Sequence, residues 1–486
     1  MLSTSISISG LGSYYRQQWA MLESIVAGKS LWRQDAADLL TRKAAGIDQL
    51  LQMLHEMQRL DRVTTAGLAD SQAFRKSLAA AHPPLWKDFS APPASVELQQ
   101  SLAAKLYNCD PKKNDVALIN LGDGAREIGK WLVERCREQD VPFIIDFADP
   151  VFQVLLINHA TEAGIKNLAE RYVAVTAAGT KRIVARSGLP ETEPPRIDEA
   201  KRRVFDRGIK PYSDRLRSGD LFYTLTAIPT RRDAEIDGIP YEEYIKLFFE
   251  MCDQPWKQIG AAQRKLIGEF NAAETVRITN SDGTDLSMNI AGFTFCNSLI
   301  AKNVPGSEIF SAPRRDSVEG VIVAKGHFSA PDSKGSLIEN LTMEFKGGRL
   351  ENYHADKGID LFENAIGIDD GARYVGELGI GTNPHLRQHV TNGLLVEKIG
   401  GSLHVALGAC YSYKEYGGEP VNVDNGNTSS LHWDITTMLW GKQGKIYLDG
   451  RPVMDDGLWL AKEYDVLNRG WKAVPVAERP DYWRKY

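Results

Sequence analysis

Near the C-terminal end, the stretch Leu431-His432-Trp433-Asp434-Ile435 alternates apolar and polar residues. A strand turns successive side chains to opposite faces, so His432 and Asp434 are expected to share one face. An imidazole beside a carboxylate is ligand chemistry. Three further candidates precede it, Glu308, Glu377 and His404. Two imidazoles and three carboxylates suit one or two divalent transition metals.

The surroundings of each candidate fit this reading. Glu308 stands in Asn303-Val304-Pro305-Gly306-Ser307-Glu308-Ile309-Phe310-Ser311-Ala312-Pro313, where prolines at both ends predict a fixed, non-helical segment that aims one carboxylate. Glu377 lies between Val375 and the run Leu378-Gly379-Ile380-Gly381, a poor place for a solvated acid, and a buried carboxylate needs a partner. His404 is set in the apolar run Leu403-His404-Val405-Ala406-Leu407, which by itself also describes a hydrogen-bonded core histidine.

Three layers are expected to position these residues: a helical N-terminal layer over 1–110, a parallel α/β domain over 111–272 and a strand-rich metal-binding domain of α+β type over 273–486. In the first, Trp19, Leu22, Ile25 and Val26 make one helical stripe. Leu39, Leu40, Ala44, Ile47, Leu50, Leu51 and Leu54 make a second, and Pro83-Pro84 and Pro92-Pro93 break the pattern. The apolar runs 116–121 and 141–147 read as strands buried on both faces, each followed by a helix, and 221–228 as another strand. Asp146 and Asp149 end the second run and read as caps or loop residues; without a Gly-x-Gly-x-x-Gly, dinucleotide binding has no support. Residues 241–251 and 256–270 are expected to be helical. Beyond 274 short alternating runs predict strands, with turns at Ser281-Asp282-Gly283-Thr284, Lys346-Gly347-Gly348 and Asp449-Gly450. A helix is predicted over 359–374, and the Trp-, Arg- and Pro-rich end reads as a tail packed back on the body.

The composition excludes several classes. Hydrophobic residues at 43% and charged residues at 25% are those of a globular protein. A net charge of −5 argues against nucleic acid as the main partner. No run of eighteen apolar residues predicts a membrane span, and the first residues lack the basic start and apolar core of a secretory leader. Cys109, Cys136, Cys252, Cys296 and Cys410 are an odd, scattered set that predicts reduced thiols and a cytoplasmic setting.

Taken together, these motifs carry a resemblance. Residues 303–313 match Asn-x-Pro-x-x-Glu-[Val/Ile]-Phe-x-x-Pro, 373–377 match Arg-x-x-Gly-Glu, 404–411 match His-Ile-Ala-Leu-Gly-x-x-Tyr with Val405 for the isoleucine, and 432–434 supply His-x-Asp. From about 114 to 458 the chain resembles the metalloaminopeptidases of the aminopeptidase T and aminopeptidase S type. The resemblance implies five metal ligands (Glu308, Glu377, His404, His432 and Asp434), two zinc or cobalt ions, an active-site tyrosine at Tyr411, a general base at Glu308 or Glu377, a peptide or small amide substrate and a homodimer. The chain departs from the pattern just before His404, where Val396-Glu397-Lys398-Ile399 stands in place of Phe-Asp-Glu-Asn. Its His-x-Asp followed by Ile446-Tyr447-Leu448-Asp449-Gly450 is also similar to the ring-cleaving dihydroxypyridine dioxygenases, which use one ferrous ion held by two histidines and a carboxylate. A binding protein that has lost catalysis is the third reading.

Overall fold

The computed structural model describes residues 47–81, 94–122, 124–191, 195–329, 331 and 336–486, with a few isolated positions before 47. The helical stripe through Trp19 and the proline breaks at 83–84 and 92–93 lie outside these residues. The chain divides into two compact units, 1–232 and 233–486.

In the first unit, the helix Ile47–Ala66 carries the end of the second predicted stripe, with Leu51 and Leu54 buried, while Leu39, Leu40 and Ala44 lie outside the described residues. A four-stranded parallel sheet follows. Its order is Phe143–Phe147, Ala117–Leu121, Lys181–Ser187, Phe222–Ile228. Ala117–Leu121 is buried at all five positions, as its unbroken apolar run requires. Asp149 caps the helix Pro150–His159 by accepting from the Phe152 amide, and Asp146 accepts from Asn120 and pairs with Arg62. Asp149 is the cap read from sequence, whereas Asp146 lies within the strand Phe143–Phe147. The strand Lys181–Ser187 was not predicted: Lys181, Arg182 and Arg186 hide a buried Ile183-Val184-Ala185 centre.

The second unit opens with the helices Tyr241–Cys252 and Trp256–Ala272 and then turns to strands. One sheet has eight strands and holds the Thr275–Thr279 and Asp285–Asn289 hairpin, the long strands Glu319–Ser329, Leu337–Lys346 and Arg349–Lys357, and Lys445–Leu448. The other has five antiparallel strands, ordered His432–Met438, Ser402–Gly408, Val375–Gly381, Glu308–Ser311, Cys296–Ser298. The predicted helix over 359–374 is shorter than expected: Ile359–Ile366 ends at Gly367, and Asp369 then caps a separate single turn, Asp370–Arg373.

The C-terminal residues do fold back. Trp483 Nε1 donates to Asp253 Oδ2 at 2.8 Å, Tyr482 bonds Glu250, and His385 Nε2 lies 2.8 Å from the other oxygen of Glu250. All five cysteines are free thiols. Among the described residues no helix is long and apolar enough to cross a membrane.

Candidate metal centre

The five-stranded sheet is two-faced. Cross-strand partners point the same way, as do residues two apart along a strand. The register pairs Gly408 with His432, Ala406 with both Asp434 and Glu377, His404 with Gly379, and Gly381 with Glu308. Glu308, Glu377, His404, His432 and Asp434 therefore all project from one face. Ile309, Leu378, Ile380, Leu403, Val405, Leu407, Trp433 and Ile435 project from the other and enter the main hydrophobic core. Burial of that apolar face fixes the register, and a one-residue slip would turn every ligand candidate inward.

His404 is the hub. Its Nε2 lies 3.7 Å from Glu308 Oε2, 3.8 Å from Glu377 Oε1 and 3.9 Å from Asp434 Oδ1. His432 Nε2 lies 3.2 Å from Glu377 Oε2 and 3.9 Å from Asp434 Oδ1. Two donors each about 2.1 Å from one ion are at most about 4.2 Å apart, so these spacings fit shared coordination. Glu377, His404 and Asp434 each offer an atom within 4.8 Å of the other two. Glu308 Oε2 and Asp434 Oδ1 are buried with no hydrogen-bond partner, a costly arrangement unless a cation, or a water that the cation holds, satisfies them. His432 Nδ1 donates to Ala409 O at 2.7 Å, which leaves Nε2 of the neutral ring as the donor atom facing the carboxylates. The residues present fit a divalent cation.

Electrostatics follow from this crowding. Burial would depress the charged form of both imidazoles, but the adjoining carboxylates, Glu377 first, push His404 up to about 9 and His432 up to about 10. Burial raises Glu377, yet the two histidines outweigh it and hold it at about 2. Asp434 rises to about 7 through burial and the charges of Glu397 and Glu377. Burial also lifts Glu308, against the pull of Lys398. Tyr411 follows the His404 strand, its ring 5.1 Å from that of His432 and stacked on Tyr413. Burial and the carboxylates of Glu377, Asp434 and Glu308 raise its hydroxyl far above the ordinary value, so it stays a proton donor. Beside the centre opens a cleft lined by His432, Asp434, His327, Phe328, His389 and Thr391.

Three supporting residues were not singled out from sequence. Gly379 leaves room for the His404 ring. Asn427, almost fully buried, donates to Gly408 O and Gly371 O and so ties the end of the His404 strand to the single turn that precedes the Glu377 strand. Lys398 was noted only as a departure, yet its buried ammonium bonds Glu308 and Glu397. For Lys398 and Gly379 the available signal was a charged residue in an apolar segment and a glycine in the alternate positions of a strand.

Comparison with known proteins gives the family and the fold. The chain is 26% identical over 324 residues to aminopeptidase T of Thermus thermophilus, a match covering 59% of this chain and 76% of that protein. It is 29% identical over 202 residues to aminopeptidase AmpS of Bacillus subtilis, covering 37% of this chain and 48% of that one, so it spans about half the length of that relative. The structure of wild-type AmpT from Thermus thermophilus superimposes with a TM-score of 0.61 at 21% identity, over 76% of this chain and 100% of the other, which supports the fold. The sequence profile of the thermophilic metalloprotease (M29) family matches residues 103–459, and the chain belongs to that family.

Proposed function

We propose that the protein is a metal-dependent aminopeptidase that removes N-terminal residues from short peptides. The observation that carries this reading is the single sheet face on which Glu308, Glu377, His404, His432 and Asp434 meet, with His404 Nε2 within 4 Å of three carboxylates. Glu377, His404, His432 and Asp434 would hold the metal, and Glu308 adds a third carboxylate. A divalent ion there supplies Lewis-acid polarisation of the scissile carbonyl and a water acidic enough to attack near neutral pH.

The chain's own groups do the rest. Glu308 Oε2, buried and without a hydrogen-bond partner, takes up the proton released by the attacking water. Tyr411, kept protonated by its surroundings, donates to the oxyanion that forms on the former carbonyl oxygen. The carboxylates attract the substrate's terminal ammonium, and the cleft lined by His327, Phe328 and His389 receives the side chain. Burial pushes His389 down to about 4, so its ring is neutral at physiological pH. Zinc or cobalt as the metal, a pair of ions and a homodimer are the remainder of what the resemblance implies, and the free thiols fit a cytoplasmic setting.

The test is hydrolysis of aminoacyl p-nitroanilides by protein loaded with zinc or cobalt, with and without a chelator. Chelator-sensitive release with a free α-amine, and none from the N-acetylated substrate, is the expected result. Oxygen consumption with a dihydroxylated ring and a single iron would replace this reading with the dioxygenase. A folded, metal-loaded protein inert in both assays would leave the binding homologue.

A further inference from the structure

Lys398 is a residue that a pair of metal ions does not call for. Its side chain is 1% exposed, and its Nζ lies 2.5 Å from Glu308 Oε1 and 2.8 Å from Glu397 Oε2. The segment carrying it is fixed. Its amide donates to Leu395 O, its carbonyl accepts from the Asn383 amide at 2.9 Å, and Gly400 N donates to Asn383 O. Ile399, next in the chain, is fully buried. The ammonium is thus built into the centre, on the side of Glu308 that faces away from His404.

The ammonium occupies Glu308 Oε1 at 2.5 Å, so this carboxylate cannot bridge two divalent ions through its two oxygens, and an ion on Oε2 would share a single carboxylate with a second cation. The charges point the same way. Glu308, Glu377, Glu397 and Asp434 are four carboxylates. One divalent ion and Lys398 leave a single negative charge, which suits a substrate's terminal ammonium. A second divalent ion would make the centre positive and repel it. We infer that the Lys398 ammonium takes the place of a second metal ion, so that the protein holds one divalent ion, among Glu377, His404, His432 and Asp434, with Glu308 outside its coordination shell. This rests on reading the cluster as a metal centre.

Metal content measured after loading with excess zinc and removal of free ion tests it. The wild type should hold one ion per chain. Lys398→Gln, which frees Glu308 and removes the fixed charge, should hold two. Glu308→Gln should keep one, and manganese-loaded wild type should give the electron paramagnetic resonance spectrum of an isolated ion. Two ions per wild-type chain, a spin-coupled manganese pair, or loss of the ion in Glu308→Gln overturns the inference; these readings stand even if the lysine variant does not fold. A wild type with two ions that hydrolyses aminoacyl amides would sink this inference and leave the aminopeptidase. One ion with no hydrolysis would do the reverse.

Discussion

Gly379 and His404 are cross-strand partners, and the imidazole occupies the space that a side chain at 379 would need: a Cβ there would lie 2.0 Å from His404 Nε2. The φ of Gly379 is not in the left-handed region, so the backbone itself would accept alanine. Gly379→Ala should therefore fold, displace the ring and weaken metal binding by about 10–100-fold, the range seen when a ligand's orientation is disturbed. Chelator competition measures this; an unchanged affinity would remove His404 from the ligand set.

Tyr411→Phe keeps the ring stack on Tyr413 and loses only the hydroxyl. Metal content should stay at the wild-type level while turnover falls by about 10²–10³, the effect of losing one oxyanion donor. Equal rates in the two proteins would return Tyr411 to a packing role.

Metal removal should cost stability, because the ion binds the folded sheet and not the open chain. At a free concentration of about 100 times Kd the gain is about 2.7 kcal/mol, visible as a raised Tm. In Glu377→Gln the raise should disappear, since Glu377 faces both histidines. A variant that retains the full metal-dependent shift would show that Glu377 is not a ligand.

The C-terminal tail gives a pH dependence. Burial raises Glu250, but hydrogen bonds from His385 and Tyr482 outweigh it and hold the carboxyl below its usual range. A depressed folded-state pKa stabilises above the unfolded value, about 4.3, and that stability is lost as pH falls through the lower folded value. Fluorescence of Trp471 and Trp483, both bonded to Asp253, should report tail release in that acid window. Glu250→Gln should remove the step; the same step in both proteins would assign it elsewhere.

The site was legible where chemistry is local. The parity of His432 and Asp434 needs only the period of a strand, and the turns at Gly283 and at Gly347-Gly348 needed only turn chemistry. The strands Val375–Gly381 and Ser402–Gly408 were harder, because both are buried at every position and show no alternation. The Lys181–Ser187 strand was hidden by its charged ends, and Gly367 cut a helix that its apolar spacing had extended. Lys398 meets Glu308 across 90 residues of chain, a contact that no window of local sequence contains. Its significance came from the sheet register, which sets Glu308 beside His404.

The five side chains of the centre arrive on four separate strands, and the last two belong to His432–Met438, at the edge of their sheet. Any fragment that stops short of residue 432 lacks both, however well its earlier strands pair. The centre is therefore a property of the completed sheet and of no smaller piece. A copy truncated before residue 432 should therefore be a poor chelator and leave the ion to intact molecules.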